Sequence, residues 1–251
     1  MRATLHGRVD GSSVVIVGSW DPFLPAHRTM LEQLRSHARQ RALASLAVML
    51  DPSPAVFIWG RHDWAIFDDV RTRIELLLGC GIDGVLLIRL LRRDVAATAA
   101  EFFSTMLAQI DVAELWLGAH QTLGAGDHGR TEAIEDLAAD NAIELVRLPP
   151  LRLETEDVRQ LLAAGRVREA TQIVGRAPVR GRPRSLALRL AWLPGRYQAI
   201  PLDRPTASPE QPSLIVELVP QAKGLPRLQW PDREVRYLAF AAGPADHAGE
   251  S

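Results

Sequence analysis

Five nearly continuous apolar runs set the rhythm of the first 150 residues: SVVIVG (13–18), SLAVML (45–50), GVLLIRL (84–90), AELWLG (113–118) and IELVRL (143–148). Between them lie stretches with helical spacing. Leu31, Leu34, Ala38 and Ala42 share one face, and Phe102, Phe103, Met106, Leu107 and Ile110 share another. Short unbroken apolar strands alternating with amphipathic helices predict an α/β domain, a doubly wound parallel sheet covered on both faces. Ligands in such sheets sit beyond the carboxyl ends of the strands, so the turn at 18–27, after the first run, is a candidate site.

From residue 154 the pattern changes. ETEDVRQLLAAGRVREATQIVG (154–175) predicts two short helices broken near Gly165, and GRAPVRGRPR (175–184) has the Pro, Gly and Arg content of a linker. Beyond it the period drops to two. Leu186, Leu188, Leu190 and Trp192 recur at period two in LALRLAWL, and SLIVELV and REVRYLAF follow with prolines at the joints. We therefore expect a first domain over 1–176, a small antiparallel β domain over 177–242 and a disordered tail over 243–251.

Composition narrows the function classes. The chain has 251 residues, 47% hydrophobic and 24% charged, enough to bury a sizeable core. A formal net charge of −1 supplies no global field for nucleic acid and argues against it as a partner. Cys80 is the only cysteine, which rules out an internal disulfide or a cysteine-cluster metal site. No leader pattern and no membrane-length apolar run stand in the sequence, so a cytoplasmic protein without a membrane partner is the expectation.

Three clusters carry candidate chemistry beside a plain structural reading. His120, Asp127 and His128 are spaced for a divalent metal, but a polar glycine-rich loop accounts for them, and no metal site is assigned. Arg176, Arg180, Arg182 and Arg184 admit a phosphate or RNA contact, yet no aromatic residues interleave them, which favours a solvated linker. Trp59 and Trp64 are stacking candidates for a flavin, or packing residues.

Five segments, in order and at matching spacing, resemble the bifunctional bacterial FAD synthetases. VVIVGSWDPFLPAHRTML (14–31) is similar to the family's IGxFDGxHxGHxxLL, with Gly18, Trp20, Asp21, His27 and Leu31 in register. VMLDPSP (48–54) resembles VTFEPHP, and RRDVAATAAEFFSTML (92–107) resembles xxFAxLSPEEFVExxL. LWLGAHQTLGAGDHGR (115–130) stands where VVGEDFRFGxxRxG belongs, keeping Gly118 and Gly124 with His120, Gln121 and Leu123 at the family's Asp and two Phe. LETEDVRQLLAAGRVREATQIVGR (153–176) parallels ISSTxIRxLLxxGDVExAxxLLGR.

The resemblance implies a Rossmann-like nucleotidyltransferase (HxGH-type) domain that joins AMP from ATP to FMN with Mg²⁺, followed by a riboflavin kinase barrel. By position it implies catalytic roles for His27 and Asp21, and nucleotide contacts from Gly18, Ser19, Trp20, His27, Thr155 and Arg159. Gly118, His120 and Gly124 would lie towards the flavin.

The departures fall on the chemistry. Where the family reads His-x-Gly-His, this chain reads Leu24, Pro25, Ala26 and His27. Removing one donor aimed at developing charge costs about 2.7–4 kcal/mol in a transition state. Ala26 adds a methyl where backbone should approach phosphate. Glu154, Glu156 and Asp157 surround Thr155 where the family has hydroxyls, and carboxylates repel a triphosphate while suiting a helix start. No GFPTAN segment supports a kinase barrel. Two readings follow: a non-catalytic or diverged descendant that binds FMN, FAD, an adenine nucleotide or a protein partner, as a subunit of an assembly or alone; or an active FMN adenylyltransferase.

Overall fold

The computed structural model describes residues 1–53, 67–119, 121–124, 131–150, 154–182, 187–189, 192–206, 212–222, 226–231 and 234–247. Two compact units emerge: Met1–Trp20, His27–His62 and Leu77–Arg152 form the first, and Asp21–Ala26, Asp63–Leu76 and Leu153–Ser251 the second.

The first unit holds a six-stranded sheet of β1 (Arg2–Gly7), β2 (Ser13–Gly18), β3 (Ala44–Asp51), β4 (Gly84–Arg89), β5 (Val112–Gly118) and β6 (Glu144–Leu148). Its order is β1-β4-β3-β2-β5-β6, parallel throughout except for β1, which runs antiparallel to β4 with Arg2 opposite Arg89. All five predicted strands are present. β1 escapes the pattern because its alternation is short and mixed with Arg2, Thr4 and His6, while Ala3 and Leu5 still pack onto the core.

Successive residues of the central strands face opposite ways, and both faces are covered, which explains their unbroken apolar composition. Val15, Val17, Leu46, Val48, Leu115 and Leu117 meet Phe102, Phe103 and Met106 of α3 (Ala99–Leu107) and Ile134 and Ala138 of α4 (Thr131–Asp140). On the other face lies α1 (Pro25–Gln40), which buries Leu31, Leu34 and Ala38. Ala42, expected on that stripe, lies past the helix end, exposed and left-handed at φ 54°. There His37 Nε2 lies 2.8 Å from the buried Glu114 carboxylate, which also accepts from Trp116 Nε1 at 3.3 Å. Helices on both faces make the sheet doubly wound.

The start of α3 is fixed by a reciprocal cap. The Glu101 N–H donates to Thr98 Oγ1 at 3.2 Å, and the Thr98 N–H donates to the Glu101 carboxylate at 2.7 Å. Glu101, in register with the family's glutamate, therefore has a structural task.

The second unit contains an antiparallel six-stranded sheet of β7 (Val179–Gly181), β8 (Ala187–Arg189), β9 (Gly195–Leu202), β10 (Leu214–Val219), β11 (Arg227–Gln229) and β12 (Tyr237–Ala242), ordered β7-β12-β9-β10-β11-β8. With it belong α5 (Thr155–Ala163), α6 (Val167–Val174) and most of α2 (Val70–Leu78). Its core joins Leu24, Phe67, Val158, Leu162, Val167 and Ala170 to Tyr197, Val216, Leu238 and Phe240 of the sheet. Pro244–His247, in the stretch read as tail, form a 3₁₀ turn in which Asp246 accepts the Gly243 N–H at 2.8 Å.

The arginine-rich stretch read as a linker contains β7. Arg176 forks onto the fully buried carboxylate of Asp68, with Nη1 to Oδ1 at 2.8 Å, and the Val179 N–H donates to the same Oδ1 at 3.3 Å. The partner stands 108 residues earlier, which is why local composition reads as a linker. Burial pushes the Asp68 carboxyl up from its ordinary range, and the Arg176 guanidinium opposes this. Asp68→Ala would leave the half-buried Arg176 guanidinium and the buried Val179 N–H without their acceptor, so it is expected to lower unfolding free energy by about 1–3 kcal/mol, read from urea denaturation. An unchanged midpoint would show that the pair is dispensable.

Candidate functional site

In the first unit, the turn after β2 is closed by an indole. Trp20 is buried, left-handed at φ 56°, and donates from Nε1 to the Val48 carbonyl at 3.1 Å. Non-glycine residues adopt that backbone region at a cost, which the hydrogen bond and burial of the ring offset. A Cβ placed on Gly18 would meet the Trp20 ring at 2.9 Å, so the glycine lets the aromatic lie against the strand end. His27, the third residue of α1, is buried and meets Trp20 edge-on, with centroids 5.3 Å apart and planes at 73°. Ser19 is half-buried between Gly18 and Trp20. The structure thus gathers Gly18, Trp20 and His27 into one packed group.

The carboxyl ends of β2 and β5 are neighbours at the point where strand order reverses, the usual crevice of such a sheet. Gln121 bridges them. Its Nε2 donates to the Val17 carbonyl at 3.1 Å, its Oε1 accepts the Gly118 N–H at 3.2 Å, and Arg147 donates to its own carbonyl at 3.0 Å. The sequence marks Gln121 only as a departure from a phenylalanine. Its role depends on two strands brought together by the fold.

Among the residues implied for a flavin, Gly118 ends β5 beside Gln121, and His120 lies outside the described residues, as do Trp59, Trp64, Asp127 and His128. Gly124 has φ 91°, and a Cβ there would come within 2.4 Å of the Ala99 backbone nitrogen. That glycine is required by close approach of its loop to the start of α3. Leu123 beside it is buried in the core. Among the described residues, no three His, Cys, Asp or Glu side chains gather as a metal set. Nor is any helix among them long and apolar enough to cross a membrane.

In the second unit, the same turn continues as Asp21–Ala26. Asp21 is buried, and its Oδ1 accepts the N–H groups of Phe67 and Asp68, each at 3.0 Å. Arg159, 5% exposed, places Nη2 3.6 Å from Asp21 Oδ2 and hydrogen-bonds the Asp21 carbonyl. Its Nη1 reaches the Thr155 carbonyl at 3.4 Å. The structure therefore joins Asp21 to Arg159, with Thr155 at the first position of α5.

Leu24 is 1% exposed and packs in the apolar cluster with Phe67, Val158 and Leu162. Glu156 and Asp157 lie exposed in the first turn of α5, where the helix dipole favours negative charge. Arg180, on β7, is buried, and its Nε and Nη1 have no hydrogen-bond partner among the described residues. Burial lowers its pKa, while Asp69, Asp21 and Asp68 act in the other direction.

The family model described as FAD synthetase matches residues 7–161, more than half of the chain. The bifunctional riboflavin kinase/FMN adenylyltransferase of Escherichia coli (strain K12) is 26% identical over 168 residues, covering 64% of this chain and 54% of the relative. The protein of that name from Buchnera aphidicola subsp. Schizaphis graminum (strain Sg) is 15% identical over 176 residues, covering 67% and 56%. The chain spans about half the length of these relatives. A crystal structure of a macrolide-efflux protein from Streptococcus pneumoniae superposes with a TM-score of 0.63 at 16% identity, over 94% of this chain and 87% of that one, a likeness of fold alone. By the match to its family model, the chain belongs to the FAD synthetase family.

Proposed function

We propose that this chain is a FAD synthetase-family protein diverged from FMN adenylylation, retaining the fold to bind a flavin, an adenine nucleotide or a protein partner. Leu24 carries the reading. At the position of the family's first HxGH histidine stands a side chain 1% exposed among Phe67, Val158 and Leu162. A donor for phosphate has been exchanged for core packing, and apolar burial of that size stabilises a fold by about 1.5–3 kcal/mol.

The other matched positions support the same reading. Arg159, the counterpart of the family's phosphate-contacting arginine, is buried and engaged with Asp21 and the Thr155 carbonyl. Glu156 and Asp157 present two carboxylates where a triphosphate would need donors. These residues do not fit an ATP triphosphate with Mg²⁺, and a kinase function has no matching sequence.

Two measurements test the proposal. Incubated with FMN, ATP and Mg²⁺, the protein is expected to form no more FAD, by fluorescence or chromatography, than a control carrying Leu24→Ala and His27→Ala. Turnover well above that control would overturn the reading in favour of an active FMN adenylyltransferase. Leu24→His, which restores the family's side chain, is expected to lower unfolding free energy by about 2–5 kcal/mol, because it removes core packing and buries an imidazole among apolar groups. A variant as stable as the parent and newly able to make FAD would show that packing does not block the chemistry.

A further inference from the structure

We infer that Arg147 is the anion anchor of the crevice at the strand ends of the first unit, so that the ligand of this crevice is held by a phosphate group. The inference rests on the reading that the chain binds a flavin or an adenine nucleotide. It adds which part of such a ligand is recognised, and by which residue.

β6 places the side chain. Arg147 is the last residue but one of that strand and stands in register with Leu117, as Leu148 does with Gly118. Leu117 belongs to the apolar core beneath α3 and α4, and Leu145, two residues before Arg147, packs against the same cluster. Residues two apart on a strand share a face, so Arg147 brings a charge to the carboxyl-end rim of an otherwise apolar face.

One nitrogen of the guanidinium is committed. Nη1 donates to the Gln121 carbonyl at 3.0 Å, and the Gln121 side chain is fixed to β2 and β5. Nε and Nη2 are shielded from water and have no hydrogen-bond partner among the described residues. Nor does any described carboxylate pair with Arg147. Glu144 lies three positions earlier, on the opposite face, where it takes Arg41 at 2.9 Å. Glu132, Glu135 and Asp136 of α4 are exposed. Nε and Nη2 form the side-on edge of a guanidinium, whose two parallel N–H groups match two oxygens of one phosphate. Buried donors are rarely left without an acceptor, and a buried charge without a counter-ion is costlier still. An anion on that edge answers both. Through Gln121 the anchor is tied to the point where strand order reverses, and ligands of such sheets lie just beyond it. The ring systems of flavins and adenine are neutral, so the anionic group such a ligand offers is its phosphate.

Calorimetric titration of the whole chain at fixed ionic strength with two matched pairs, FMN with riboflavin and AMP with adenosine, tests this. In the pair that binds, the phosphorylated member is expected to bind about ten- to hundredfold tighter than its parent. Arg147→Gln is expected to remove that preference by weakening the phosphorylated member alone. Arg147→Lys, which keeps the charge without the fork, is expected to reduce it and serves as the milder variant should Arg147→Gln not fold. Equal affinity within a pair, or a preference unchanged in either variant, would overturn the inference and leave the ligand reading standing. Binding of none of the four would overturn both. Loss of the preference in His27→Ala with Arg147 intact would move the phosphate to the nucleotide turn and overturn the inference equally.

Discussion

The second unit depends on charges taken out of water and matched in place. It is assembled from three separated stretches of chain, and Asp21, Asp68, Arg159 and Arg176 tie these together. Asp21 accepts two N–H groups from the Phe67–Asp68 segment and faces Arg159 of α5. Asp68 takes the fork of Arg176 and the amide that opens β7. Buried pairs of this kind add little net stability over well-packed apolar groups, but removing one partner is costly. Hydrophobic burial around Leu24, Phe67 and Phe240 supplies the drive, and the ion pairs determine which segments meet.

This constraint bears directly on chemistry. An arginine committed to Asp21 is a different object from one held open for a phosphate, and a leucine in the core cannot donate to anything. Here Leu24 is part of the apolar core and Arg159 faces Asp21. The first unit shows a parallel tendency. Trp20 lies over Gly18, and Gln121 ties the ends of β2 and β5.

The arginines of residues 176–182 show how neighbours in sequence acquire separate tasks. Arg176 neutralises a fully buried aspartate, Arg180 is buried opposite Leu238 with two of its nitrogens unpartnered among the described residues, and Arg182 lies exposed. Position on the strand separates the last two: Arg180 is held within β7, whereas Arg182 lies just past its end.

The five parallel strands, the helices between them, the two short helices broken at Gly165 and the β-rich second half were all legible in the sequence, because hydrophobic period is a local property. So was the family, through short motifs in fixed order. The sequence also exposed the odd residues at 24, 26, 154 and 156, but it could not say what they do instead. That Leu24 is core, that Arg159 serves Asp21, that Gln121 clamps two strands and that a presumed linker is a strand were decided by tertiary structure. Each rests on a partner tens to more than a hundred residues away, and local composition carries no record of such pairings.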